Sequence, residues 1–252
     1  MTARTLPTAY EAQGENTSPR WCFAFAQDCG GVNIVSRRLR PGPVALFGSP
    51  QIWNPILLQA IHEGRDWYYG DHAYFGRYRY YRVTRNALQH HGHGRHRKDS
   101  LRRLGINIEP WRKDGEHVVF CPPDQAFTQL FGFDADVWEK NILSELQRHT
   151  RRPIVVRRRG QVGRMRPLAE DLQGAWALVT YSSNAAVEAV VRGVPVFCLH
   201  ECAASAMGLS DLSMIESPAY PDWREQWAAN LAANQWTLEE IAAGECWREI
   251  GR

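Results

Sequence analysis

The sequence predicts an α/β fold built as two small lobes, each a parallel sheet wrapped by helices, facing one another across a cleft. Three observations predict it. From Glu116 onward, apolar runs of strand length alternate with segments of helical periodicity, the rhythm of a parallel sheet with crossover helices. The N-terminal half repeats that rhythm less clearly. The length, 252 residues with 44% hydrophobic and 23% charged side chains, suits one large domain or two small ones.

Taken in order, residues 1–20 are polar and read as a flexible arm. Trp21–Ala26 and Val44–Phe47 are short apolar runs bounded by Gly and Pro, which predicts two buried strands with a turn at Pro41-Gly42-Pro43 between them. Asn54-Pro55 opens a helix through Ile56, Leu57, Ala60 and Ile61 that Gly64 stops. Asp66–Tyr69 is a strand running into Gly70-Asp71-His72. Aromatic residues crowd the stretch from Trp67 to Tyr81, and Arg77, Arg79 and Arg82 are interleaved with the last of them. Gln89–Arg97 carries two glycines and cannot pack a core, so the basic stretch 89–103 is expected to be an exposed loop.

The first lobe is expected over residues 21–112 and the second over 113–252. Strands of the second fall at Glu116–Cys121, Pro153–Arg157, Ala177–Tyr181 and Val194–Leu199. Helices fall at Val137–Arg148, Leu168–Leu172 and Ala185–Arg192, the last closed by Gly193, and the Trp-rich end Asp222–Trp247 reads as helical.

Composition excludes disorder, collagen and disulfide scaffolds. No apolar run approaches the roughly 18–20 residues that span a bilayer, and the first residues lack the apolar stretch of a signal peptide. A soluble cytoplasmic protein without membrane insertion is the expectation. The six cysteines are scattered and read as reduced, buried small hydrophobes. Cys198 and Cys202 flank His200 and Glu201, but no second ligand pair follows, so no metal site is assigned. Asp134-Ala135-Asp136 precedes a helix and reads as an N-cap.

Charge is uneven behind a net +3. Arg148 to Arg166 holds eight arginines and no acid, whereas His200 to Arg252 holds nine acids against three arginines. A polyanionic partner, nucleic acid or nucleotide phosphate, would account for the basic half; a solvated surface balanced by the acidic end is the default reading of a charge run alone.

The most informative segment is Ala177–Leu199, ALVTYSSNAAVEAVVRGVPVFCL. A buried strand delivers Ser182 and Ser183 to a helix N-terminus, where main-chain N–H groups and the helix dipole favour an anion. Asn184 is a good N-cap, and Glu188 lies one turn in, placed to hold a ribose diol. A plain cap followed by a surface glutamate explains the same residues. The stretch TYSSNAAVEAVVRGVPV resembles the donor-binding motif in the C-terminal domain of GT-B type glycosyltransferases, and is especially similar to the capsule polysaccharide transferase group. The resemblance covers about 25 residues closely and residues 116–200 loosely. It implies a compact pair of Rossmann-like lobes. It also implies that Ser182, Ser183 and Asn184 hold the phosphates of a nucleotide-sugar donor, with a UDP-sugar first in line. Glu188 would hold the donor ribose, and Arg157 would be a second phosphate contact. No metal is required on that reading.

Asp71 and His72 end a strand among aromatic residues, a setting in which a carboxylate or imidazole takes a proton from an acceptor hydroxyl. A turn cap and a locally bonded histidine is the plain alternative. Arginine interleaved with aromatics suits nucleic acid, which makes Arg77, Arg79, Arg95, Arg97 and Lys98 candidate acceptor contacts. The resulting expectation is a glycosyltransferase acting on hydroxymethylated pyrimidines in bacteriophage DNA. A capsule or lipopolysaccharide glycosyltransferase is the first alternative, and a non-enzymatic nucleic-acid-binding protein the second.

Overall fold

The computed structural model describes residues 5–12, 16–48, 50–90, 100–158 and 166–251, without the side chains of 50–54 and 126. It divides into two units, residues 1–90 with 234–252, and residues 91–233.

The first unit opens with β1 (Thr8–Tyr10), α1 (Thr17–Cys29), β2 (Val32–Ile34), β3 (Val44–Phe47), α2 (Pro50–His62), β4 (Trp67–His72) and β5 (Tyr81–Arg85). The second runs through α3 (Ser100–Leu104), β6 (His117–Cys121), α4 (Gln125–Thr128), α5 (Ala135–His149), β7 (Ile154–Val156), α6 (Leu168–Asp171), β8 (Ala175–Thr180), α7 (Ala185–Val191), β9 (Val196–Cys198) and α8 (Arg224–Ala233). The chain then completes the first unit with β10 (Gln235–Trp236), α9 (Leu238–Ala242) and α10 (Glu245–Ile250).

The first sheet has the order β10-β5-β4-β3-β1-β2, in which β2, β1, β3 and β4 are parallel while β5 and β10 are antiparallel additions. Its β3 is buried at every position, as strands covered on both faces are. The second sheet, β7-β6-β8-β9, is wholly parallel, and Ala175–Thr180 is buried throughout. Strand order reverses beside β6: β7 lies on one side of it, and β8 and β9 on the other. In such doubly wound sheets the crevice outside the carboxyl ends at this reversal is where ligands bind.

Most strands and helices of the second unit lie within a residue or two of their expected bounds. Asp134 caps α5 as expected, accepting the Val137 N–H at 2.9 Å. Gly193 closes α7 with φ +73, and a Cβ there would fall 1.9 Å from the Pro110 carbonyl oxygen, so neither the turn nor the space admits another residue.

Three expectations are corrected. The arm expected over residues 1–20 holds a buried strand, Thr8–Tyr10, paired on both sides, and the start of α1 at Thr17. Trp21–Ala26 is not a strand but part of α1. Trp21, Cys22, Phe25, Ala26 and Cys29 recur at helical spacing and are buried, while Phe23 turns outward at 61% exposure. The second unit stops short of the expected 252, because Trp236, Ile241 and Cys246 bury themselves with Trp21, Phe25 and Tyr81 in the first unit's core.

Candidate functional site

Thr180 ends β8, and the turn Tyr181–Asn184 leads into α7 at the reversal of strand order. Two bonds fix the turn on the sheet. The Thr180 hydroxyl donates to the Cys121 carbonyl on β6 at 2.8 Å, and its oxygen accepts the Ser183 N–H at 3.3 Å. Thr180 escaped the sequence reading, although a hydroxyl at the last residue of a buried strand is the available signal. Ser183 and Asn184 are exposed, so the turn opens to solvent.

The cap differs from expectation. Asn184 already has helical angles (φ −60°, ψ −14°) and makes no side-chain cap bond. The Ser183 hydroxyl oxygen instead accepts the Ala185 N–H at 3.2 Å, and its carbonyl accepts the Ala186 N–H at 3.1 Å. A serine that accepts one bond keeps its own O–H for a ligand oxygen. Glu188 sits one turn in, with Oε1 taking the Arg192 Nε–H at 3.0 Å. That bond fixes the carboxylate and leaves Oε2 available.

Arg157, which follows β7, is placed differently from expectation. Its guanidinium pairs with the buried Asp171 carboxylate, which also takes Arg166 at 2.8 Å. It is therefore paired within the protein, through a single carboxylate shared by two arginines. Cys198 and Cys202 lie together beside Ser205, and no cluster of three or more His, Cys, Asp or Glu occurs among the described residues.

In the first unit, Asp71 and His72 are the last residues of β4, at the carboxyl end of the parallel strands. Antiparallel pairing sets Asp71 opposite Arg82 of β5, and Arg82 Nη2 meets Asp71 Oδ2 at 2.6 Å. The Arg82 side chain is 4% exposed, so the carboxylate neutralises a buried cation. Asp71 Oδ1 accepts the His72 N–H at 2.7 Å. Both carboxylate oxygens are engaged. The His72 ring lies among Phe47, Tyr78 and Tyr81 at centroid distances of 5.7, 4.8 and 5.6 Å, and its Nδ1 has no hydrogen-bond partner. Burial pushes its pKa below the usual imidazole value; Asp71 opposes that shift, while Arg77 and Arg82 add to it. Of the two candidates, Asp71 has both oxygens engaged, whereas His72 keeps a ring nitrogen, the buried Nδ1, without a partner.

Arg77 and Arg79 lie on the turn after β4, their guanidinium carbons 5.1 and 5.4 Å from the ring centroids of Tyr78 and Tyr80. Arg95, Arg97 and Lys98 fall outside the described residues. The buried Tyr68, Tyr69, Tyr80 and Tyr81 are core side chains, as tyrosine-rich strands commonly are.

Two solved structures share this architecture over nearly their whole length. One is Thermosulfurimonas dismutans KpsC, beta Kdo 2,7 transferase, with a TM-score of 0.53, 12% identity, and coverage of 95% of this chain and 98% of that one. The other is Thermosulfurimonas dismutans KpsC, beta Kdo 2,4 transferase, with a TM-score of 0.50, 11% identity, and coverage of 95% and 99%. The chain has the fold of these transferases. No family model and no curated sequence matches it. At such identity the likeness speaks for the fold, and the chemistry rests on the side chains just described.

Proposed function

We propose that the chain is a nucleotide-sugar-dependent glycosyltransferase of the capsule or lipopolysaccharide type. The observation that carries this reading is the Ser182–Ser183 turn, opening to solvent at the strand-order reversal of a parallel sheet, in a chain with the fold of two Kdo transferases. Those names favour a glycan acceptor over hydroxymethylated DNA, for which only the arginine-rich stretches speak.

In this reading Ser182, Ser183 and the main chain at Asn184 bind the donor phosphates, and Glu188 accepts a ribose hydroxyl. The acceptor oxygen attacks the anomeric carbon as the bond to the nucleotide phosphate breaks. Within the first unit His72 is the candidate base for an acceptor proton, and Asp71 fixes the backbone that carries it. Charge on the departing phosphate is met by N–H and O–H donors fixed before the reaction, where they cost no reorganisation. Arg157 supports the turn's unit through Asp171 and has no direct phosphate contact in this scheme.

Thermal-shift titration with UDP-, GDP- and CMP-sugars tests the donor assignment and identifies the nucleotide. One of the three should raise Tm, with a loss of about tenfold in affinity in Ser183→Ala and in Glu188→Ala, the scale of one hydrogen bond to a charged group. Stabilisation by none of them, or undiminished affinity in both variants, overturns the reading. Stabilisation by duplex DNA with a steep salt dependence, and no response to nucleotide sugars, would favour the nucleic-acid-binding alternative.

A further inference from the structure

The turn after β4 holds a residue that its backbone disfavours. Ala73 N–H donates to the Tyr80 carbonyl, and the N–H groups of Arg79 and Tyr80 both donate to the Gly76 carbonyl, each at 3.1 Å. Tyr78 is thereby the third residue of a four-residue turn, with φ +75. Turns with a positive φ at that position take glycine or asparagine, and a bulky aromatic there is strained. The other described non-glycine residue with positive φ is Asn86, a type that tolerates it.

Burial does not offset this strain. Tyr78 is 71% exposed, the most exposed large hydrophobic side chain among the described residues. Glycine at 78 would make the same turn without strain, so the ring serves something other than packing. Its surroundings indicate what. The ring lies 4.8 Å from that of His72, whose Nδ1 is buried and unpartnered. Arg77 and Arg79 precede and follow it in the turn, Arg77 over the Tyr78 ring and Arg79 over that of Tyr80, neither paired with an acid among the described residues.

We propose that Tyr78, Arg77 and Arg79 form an acceptor platform for a pyranose that carries a carboxylate or phosphate. The Tyr78 ring takes the C–H face of the sugar, a rigid amphipathic surface that loses little entropy on binding. The arginines take its anionic group, and the sugar hydroxyl is set beside His72. The role of His72 rests on the glycosyltransfer reading; the platform rests on the turn. Two cations two residues apart on one tight turn suit a single anionic group rather than a track of successive phosphates.

Saturation-transfer NMR on the full chain tests this, with the methyl glycoside of N-acetylneuraminic acid as the anionic probe, methyl glucoside as the neutral one and a short DNA strand as the rival. The expected result is millimolar binding of the acidic sugar, retained in Tyr78→Phe and weakened about tenfold in Tyr78→Gly, the scale of one aromatic contact. The Tm of Tyr78→Gly should be unchanged or raised, since the left-handed position is relieved; a merely structural tyrosine would lower it. Arg77→Ser with Arg79→Ser should erase the preference for the acidic sugar. Absence of sugar binding, wild-type binding by Tyr78→Gly, a fall in its Tm, or Tyr78-dependent binding of DNA in place of sugar each overturns the platform. Nucleotide-sugar binding is measured in the same samples. Donor binding that survives while Tyr78 proves irrelevant defeats the platform alone. Tyr78-dependent sugar binding in a chain that takes no donor defeats the transferase reading and leaves the platform standing.

Discussion

At the scale of single residues, adjacent side chains with similar credentials in sequence receive different roles from their surroundings. Asp71 and His72 both looked like bases, but Asp71 is bound to a buried arginine while the His72 nitrogen is left unpartnered. Removing each should therefore have separate signatures. His72→Ala is expected to lower turnover by about 10²–10⁴, the usual contribution of a general base, with donor affinity kept. Asp71→Ala leaves Arg82 buried without its acid and should cost about 3 kcal/mol of stability, visible in urea denaturation. The pH profile follows from the direction of the His72 shift. Burial lowers its pKa from the ordinary value near 6.5, so the proton-accepting form persists into more acidic solution. The acidic limb of kcat/KM should fall below that value, and a limb above it would argue against His72. Asp28 shows the opposite case. Its Oδ2 accepts the Trp247 N–H at 2.8 Å, its Oδ1 has no partner, and burial raises its pKa to about 6. A carboxyl whose folded pKa exceeds its unfolded one disfavours folding when charged, so its cost is greatest above pH 6 and vanishes as pH falls through 6 toward 4. Asp28→Asn keeps the bond to Trp247 and should stabilise by of order 1 kcal/mol at pH 7.5 after allowance for solvent screening, with little gain at pH 4. Thermal melts at the two pH values check it.

At the scale of elements, the second unit was the more legible because each strand there is a continuous apolar run between turn signals, and each helix carries its own cap or stop. The turn between β8 and α7 was legible for the same reason: strand, small hydroxyl residues, helix and Gly-x-Pro occur in one uninterrupted stretch. The losses came where a signal needed a partner distant in sequence. Thr8–Tyr10 is too short to announce itself and becomes a strand only through pairing with β2 and β3. Trp21–Ala26 is an apolar run of strand length, but the helical period of α1 shows only over its thirteen residues. Arg157 looked free because its acid, Asp171, lies fourteen residues on. That pair joins the end of β7 to the end of α6 and makes a prediction of its own. Asp171→Ala should destabilise by about 3 kcal/mol, since it strands a largely buried guanidinium, and should weaken donor binding only as far as folding is lost. An equal loss of donor affinity in Arg157→Lys, with Tm kept, would instead return Arg157 to the phosphates.

At the scale of the whole chain, one sequence-level boundary was misplaced for a physical reason. A linear reading assigns the Trp-rich end to whichever segment precedes it, but apolar burial ignores sequence order. Trp236 pairs through β10 with β5, and α9 and α10 pack on α1, so residues 234–252 close the core that Trp21, Phe25 and Tyr81 begin. Thr237 starts α9 with a capping box, its hydroxyl accepting the Glu240 N–H while the Glu240 carboxylate accepts the Thr237 N–H, so the returning segment is held by local bonds as well as by burial. The Trp236 and Ile241 side chains, both fully buried, together account for roughly 3–6 kcal/mol of transfer free energy. Against the 5–15 kcal/mol typical of a whole domain, that share is decisive for the first unit. A chain truncated after Ala233 should therefore lose the protection of β3 and β4 amides in hydrogen exchange, while β6 and β8, whose sheet lies within residues 91–233, keep theirs. Donor-induced protection around Ser183 should survive the truncation and the activity assigned to His72 should not. Loss of protection in β6 and β8 as well would show that the two units fold as one.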